Sequence, residues 1–279
     1  MEGTPDPTGD PTGNLTGDLA DDLADEQDAL DVIVADLPAD QWLTPTPSPG
    51  WTVADQVGHL TYFDSAATLA MTDPDAFQAH RRELLATFGD AGAAEAMTLG
   101  AYRAMDADEL LAAWRRGRLQ LAAAAASVAP DARIEWYGPS MSKRSFLTAR
   151  LMEAWAHGQD VVDALGAERP PTDRLRHVAQ LGVITRGWSY KNRGLDTPAG
   201  DVRVELAAPS GDMWTWGDVD LEDSVAGPAE DFCLVVTQRR HVDDTRLAVR
   251  GPLGREWMEC AQAFAGPATN GPDARSTRT

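Results

Sequence analysis

The sequence predicts a mostly α-helical protein with a small α+β second domain, on three observations. Large apolar residues recur near a 3.6-residue period in four segments between Leu19 and Gly166. Pro170-Pro171 then breaks the pattern. Beyond Gly194, apolar residues begin to alternate with polar ones. A helical half followed by a mixed half argues for two domains, and 279 residues, 43% of them apolar, suffice for two cores. The boundaries read as an acidic tail over 1–17, a four-helix bundle over 18–168, an α+β domain over 169–268 and a second tail over 269–279.

Residues 1–17 repeat Asp-Pro-Thr-Gly and hold too few large apolar side chains to offset the entropy of ordering, which predicts disorder. Leu19, Leu23, Leu30, Ile33, Val34 and Leu37 mark the first helix. Thr52, followed three residues later by Asp55, is a capping-box pair opening the second, with Val53, Val57, Leu60, Phe63 and Ala67 on its stripe. The connection over 71–105 is long and reads as partly helical. Asp106 and Glu109 open a third helix through Leu110, Trp114 and Leu121. Ser142 caps a fourth through Phe146, Leu147, Leu151, Trp155 and Val161, and Gly166 ends it. A fifth helix is expected from Thr172 or Asp173 to about Asn192. Val202, Val204 and Leu206 then form a strand, Pro209 to Asp212 a turn, and Met213 to Trp216 the return. Residues 230–240 read as helix, Leu247 to Arg250 as extended, and Arg255 to Phe264 as a closing helix.

The formal charge is −20, and no Lys or Arg precedes Arg81. Such a surface repels phosphate backbones and anionic lipid, which argues against nucleic-acid partners and membrane anchoring. No apolar run reaches the length of a membrane span, and the N-terminus lacks the basic and apolar regions of an export signal. Cys233 and Cys260 make no disulfide framework and read as buried small apolar residues. The expectation is a cytoplasmic protein.

Of five histidines, His157 has a carboxylate one turn before it in the middle of an apolar-faced helix. Glu153 and His157 stand at i and i+4, with Cβ atoms about 5–6 Å apart, within reach of one metal ion. Two ligands do not close a site, and the same pair also serves simply to stabilise a helix. His59, in the middle of the second helix beside Leu60, is the best-placed third candidate. A histidine there is a metal ligand, a satisfied core polar group or a surface residue. Asp160, one turn past His157, is placed either to accept the second N–H of a ligating imidazole or to carry a solvated charge.

The run Pro49-Gly50-Trp51-Thr52-Val53-Ala54-Asp55-Gln56-Val57-Gly58-His59-Leu60 resembles the start of the second helix in the mycothiol-dependent maleylpyruvate isomerase family, a branch of the DinB-like metal-binding four-helix bundles. A second family block, Glu-x-Trp-x-His-x-x-Asp, stands as Glu153, Trp155, His157 and Asp160. Gly227 to Phe232, through Arg239-Arg240, is similar to the family's smaller α+β domain, itself similar to sterol-carrier folds. The chain resembles an actinobacterial subgroup of the family more than the isomerase itself, and abundant Ala and Arg with only two lysines, Lys143 and Lys191, fits such a source.

The resemblance implies that His59, Glu153 and His157 bind a divalent metal, usually zinc, with one position open. It also implies a thiol chemistry in which the metal deprotonates mycothiol for attack on a small electrophile, in transfer or isomerisation. Arg239 and Arg240 stand where the family holds an arginine for a carboxylated substrate, although the flanking residues differ from those of the isomerases. Two other readings remain: a zinc-hydroxide hydrolase with Asp55, Asp64 or Asp160 as base, and a noncatalytic ligand carrier in which metal only fixes the bundle. Trp51 and Trp155 flank the ligand blocks and either wall the pocket or anchor the core of the bundle. Trp214 and Trp216, sharing a strand face, line a cavity or pack on helices.

Overall fold

The computed structural model describes residues 19–87 and 89–275, so the acidic tail expected over 1–17 lies outside the described residues. The chain forms two compact units, the first ending at Arg169 and the second beginning at Pro170. Among the described residues, no helix is long and apolar enough to cross a membrane.

The first unit is helical: α1 (Leu19–Val34), α2 (Val53–Thr72), α3 (Pro74–Ala86), α4 (Ala91–Arg103), α5 (Ala107–Ser127) and α6 (Lys143–Leu165). The start and stop signals act as their chemistry dictates. The Thr52 hydroxyl accepts from the Asp55 N–H at 3.3 Å, and the Asp55 carboxylate accepts from the Thr52 N–H at 2.9 Å. Asp106 and Glu109 repeat the exchange at the head of α5, Ser142 caps α6, and Gly166 ends α6 at φ 60°. Helices α1, α2, α5 and α6 make the bundle. Its core is built from Leu30, Val34, Val53, Val57, Leu60, Leu110, Trp114 and Val161. The long connection contains two complete helices, α3 and α4, packed beside α2. A two-stranded hairpin, β1 (Arg133–Ile134) with β2 (Met141–Ser142), leads into α6.

Both α2 and α6 are flanked on more than one side, so they bury polar groups as well as apolar ones. Asp55, Gln56, Thr61, Asp64, Arg150, Gln159 and Asp160 are all under 9% exposed. Buried polar atoms cost free energy unless paired, and these are paired, beginning with Asp64, which accepts from Arg150 at 2.8 Å and from Gln27 at 3.0 Å.

The second unit contains α7 (Leu175–Ile184), α8 (Arg186–Lys191), β3 (Arg203–Ala207), β4 (Met213–Trp216), β5 (Ser224–Pro228), α9 (Ala229–Val236), β6 (Ala248–Arg250) and α10 (Pro252–Cys260). The sheet order is β4-β3-β5-β6. The expected hairpin pairs Leu206 with Trp214, while β5 joins β3 in parallel, Val204 against Val225, and takes β6 antiparallel. Trp214 is buried under the Arg176 guanidinium of α7, and the Trp216 indole donates to Gln180 of the same helix at 2.6 Å, so this face packs on a helix.

The expected fifth helix is divided at Thr185, whose hydroxyl bonds the Leu181 carbonyl at 2.7 Å. The helix expected over 230–240 ends at Val236, because Gln238 turns to φ 60°. The closing helix begins at Pro252, where a missing N–H costs nothing, and ends at Cys260. Thr269 and Arg275, in the second expected tail, bond back to Gln238 and Asp244; residues 276–279 lie outside the described residues.

Gly182 marks the crossing of α7 and α9. A Cβ there would lie 2.8 Å from Val236 and 3.0 Å from Phe232. Gly182→Ala is therefore expected to destabilise the protein by about 1–3 kcal/mol despite alanine's better helix propensity. Urea unfolding measures this, and an unchanged midpoint would mean that the crossing is loose.

Candidate metal centre

The capping box that fixes the first turn of α2 sets the phase of the whole helix and aims His59 at α6. On α6, Glu153 and His157 are one turn apart and face α2. One ligand atom from each of His59, Glu153 and His157 lies within 4.8 Å of the others. Glu153 Oε2 is 3.1 Å from His157 Nε2 and 3.7 Å from His59 Nε2. Tetrahedral zinc with bonds of about 2.0–2.1 Å needs ligand atoms about 3.3 Å apart, and the two measured separations bracket that value. The donor set fits a divalent cation.

Aromatic rings wall the cluster. Trp51 stands 5.1 Å from the His59 ring and 6.0 Å from the His157 ring, nearly parallel to the latter. Phe63 lies 4.6 Å from His59 on its other side. The three candidate ligands keep 13–25% of their side-chain surface exposed, so the cluster is not sealed from solvent.

Second contacts orient the ligands. His157 Nδ1 lies 2.6 Å from Gln56 Oε1. Gln56 Nε2 donates to Thr46 Oγ1 at 2.9 Å, and the Thr46 hydroxyl donates to the Trp51 carbonyl at 3.1 Å. Gln56, rather than Asp160, is thus the hydrogen-bond partner of His157 Nδ1. Asp160 stands 3.8 Å from the same nitrogen and accepts from the Ser48 hydroxyl at 3.2 Å. Gln56 escaped the sequence reading although it lies three residues before His59 on the inward side of α2, a polar amide among apolar neighbours.

Burial pushes the His59 imidazole down to about 4, with the His157 charge adding to that and Glu153 opposing it. Burial alone would raise the Glu153 carboxyl, but His157, His59 and Arg150 hold it well below the usual carboxylate range. At neutral pH the cluster therefore offers an uncharged His59 and an ionised Glu153, the protonation states that metal binding requires. A histidine whose folded value falls below its unfolded 6.5 contributes stability that is present above 6.5 and lost as pH falls toward about 4. The metal-free protein is expected to lose up to about 3 kcal/mol across that window. His59→Gln flattens this part of the curve, as urea midpoints measured against pH will check; an unaltered slope in the variant would contradict it.

The other candidates have partners of their own. Asp55 belongs to the capping box and pairs with Arg103 at 2.6 Å, and Asp64 is paired with Arg150. Trp155 is buried beneath the Arg169 guanidinium. Arg239 and Arg240 follow α9 in the second unit, where they donate to the carbonyls of Thr237 and Arg239 at 2.7 Å. Cys233 is fully buried there, and burial pushes its thiol well up.

Comparison with known proteins finds likenesses in both units. The family model described as the mycothiol maleylpyruvate isomerase N-terminal domain matches residues 23–162, which include all three candidate ligands. A second model, described as wyosine base formation, matches residues 198–250, the stretch that holds the sheet. An uncharacterized protein of Mycobacterium tuberculosis, found in strains CDC 1551 / Oshkosh and H37Rv, is 47% identical over 252 residues, covering 88% of this chain and 95% of the relative. The crystal structure of the mycothiol-dependent maleylpyruvate isomerase is 16% identical with a TM-score of 0.53, covering 79% of this chain and 88% of that one. A histidine-to-alanine mutant of that isomerase gives 14% and 0.54, covering 81% of this chain and 89% of the other. The shared architecture is the DinB-like helical bundle followed by a small sheet domain.

Proposed function

The chain belongs to the mycothiol maleylpyruvate isomerase N-terminal domain family, and on that premise we propose that it is a metal-dependent enzyme acting through a low-molecular-weight thiol such as mycothiol. In this reading His59, Glu153 and His157 hold zinc, and the thiol attacks a small organic electrophile in a transfer or an isomerisation. The convergence of those three partly exposed side chains is the observation that carries it.

Zinc, if held there by His59, Glu153 and His157, would supply the Lewis acidity that lowers the pKa of a small thiol. The protein's own residues do the rest. His59 and His157 give imidazole nitrogens, and Glu153 gives one negative charge, which leaves a net positive charge to attract an anionic sulfur. Trp51 and Phe63 keep water from the flanks of the site and strengthen its electrostatics. No protein nucleophile is needed, which suits a chain whose Cys233 is fully buried with a raised pKa.

The hydroxide-hydrolase alternative would be helped by a free carboxylate base beside the metal. Asp55, Asp64 and Asp160 are each engaged by other partners, Arg103, Arg150 and Ser48. That favours the thiol reading.

Purification without chelator followed by elemental analysis is expected to give close to one zinc per chain, and calorimetry to give mycothiol binding that disappears when the metal is stripped. Zinc without thiol binding would overturn the thiol step, and thiol-independent ester cleavage would transfer the assignment to a hydrolase.

A further inference from the structure

We propose that Gln56 is a positioning residue of the centre: its side-chain carbonyl holds the His157 imidazole in the tautomer protonated on Nδ1, so that Nε2 turns its lone pair toward the cation. This rests on the metal-centre reading above and adds a residue that is not a ligand.

A neutral imidazole carries one proton on either nitrogen, and the hydrogen bond at one nitrogen decides which atom is left to bind metal. His157 faces two acceptors that compete for that proton. Gln56 Oε1 lies 2.6 Å from Nδ1, and Glu153 Oε2 lies 3.1 Å from Nε2. If Glu153 takes the proton, Nε2 is blocked as a ligand. The shorter contact, on the Gln56 side, suits an N–H donating to oxygen; an amide nitrogen turned to face the ring would make an N–H···N contact, which needs a longer separation.

The amide's other end holds it that way round. Its nitrogen reaches Thr46 Oγ1 at 2.9 Å, and the Thr46 hydroxyl directs its own proton to the Trp51 carbonyl at 3.1 Å, leaving its oxygen to accept from Gln56. Donation thus runs in one direction, from His157 to Gln56 to Thr46 to the backbone of Trp51. The segment that ends this relay is itself fixed, with Thr46 N bonded to Trp51 O at 2.8 Å and Val53 N to Thr44 O at 3.0 Å. Gln56 has no exposed surface, so solvent offers its amide no substitute partner. It also sits on α2 while His157 sits on α6, so a single amide registers one ligand-bearing helix against the other.

The test uses three full-length proteins: wild type, Gln56→Met, which removes the acceptor at similar volume, and Gln56→Glu, which restores one. Zinc affinity measured against a competing chelator is expected to fall about 10–100-fold in Gln56→Met and to stay at or above wild type in Gln56→Glu. Long-range proton–nitrogen NMR on the metal-free proteins is expected to find the His157 proton on Nδ1 in wild type and on Nε2 in Gln56→Met. A wild-type ring protonated on Nε2, or a Gln56→Met protein that holds zinc as tightly as wild type, overturns the proposal. So does a loss of affinity in both variants that simply follows their metal-free melting temperatures, since packing alone would produce it. A wild-type protein that holds no zinc refutes the centre itself, while the NMR tautomer still decides the role of Gln56.

Discussion

His59→Ala is expected to yield a folded protein without zinc. Losing only an outer partner of a ligand already costs about 10–100-fold in metal affinity. Removing one of three protein ligands therefore costs more than the upper end of that range and empties the centre at micromolar metal. The fold survives because His59 is not part of a buried ion pair. Burial drives its pKa down to about 4, so the group lost is a neutral ring packed between Trp51 and Phe63. The expected loss of stability in the metal-free state is about 1–3 kcal/mol. His59→Phe refills the space without a nitrogen and separates packing from ligation: it restores the melting temperature and leaves the zinc content near zero. Zinc retained in stoichiometric amount by His59→Ala would overturn the assignment of α2 as a ligand-bearing helix.

The second large effect lies one turn deeper in the bundle. Arg150 and Asp64 are 5% and 2% exposed and meet at 2.8 Å, with Gln27 filling another acceptor position on Asp64 at 3.0 Å. Breaking such a pair costs about 3–5 kcal/mol because the remaining charge is stranded. The two halves of the pair are not equivalent. Asp64→Ala strands a guanidinium, which cannot shed its proton, so the full penalty is expected at every pH. Arg150→Met leaves a carboxyl that burial already pushes up and that loses its main opposing charge, so it takes up a proton and neutralises. An acid whose folded pKa exceeds its unfolded one loses stability as pH rises between the two. Relative to wild type, Arg150→Met is therefore expected to be weaker at about pH 8 than at about pH 5, while Asp64→Ala is equally weak at both. Urea unfolding of both variants at the two pH values checks this; equal pH profiles would show that Asp64 stays ionised without its partner.

Much of the helical unit was legible because its signals are local. Thr52 with Asp55, Asp106 with Glu109, Ser142 and Gly166 each act within a few residues of themselves, and each sits at the end of a helix as read. The candidate ligands on α6 were legible for the same reason, one turn apart on one helix. Helices α3 and α4 were not resolved as two: Ala91–Arg103 is built largely of small residues, so its apolar stripe is faint. Strand β5 was missed because its place in the sheet comes from pairing in parallel with β3, and Gly227 and Pro228 at its end are poor strand formers. Gln56 was passed over because an amide carries no charge and its role exists only once α6 lies opposite. Its spacing of three from His59 was the available signal.

The placement of the candidate ligands has a consequence for the denatured chain. His59 and Glu153 are separated by 94 residues in sequence yet meet at 3.7 Å. A denatured chain would have to close a loop of that size, at about 4–5 kcal/mol in the chain-entropy treatment, to bring the two side chains to one cation, so the ion is held by the folded chain and released on unfolding. Chelation would then take away a staple as well as a reagent, and the melting temperature should climb with the concentration of free zinc.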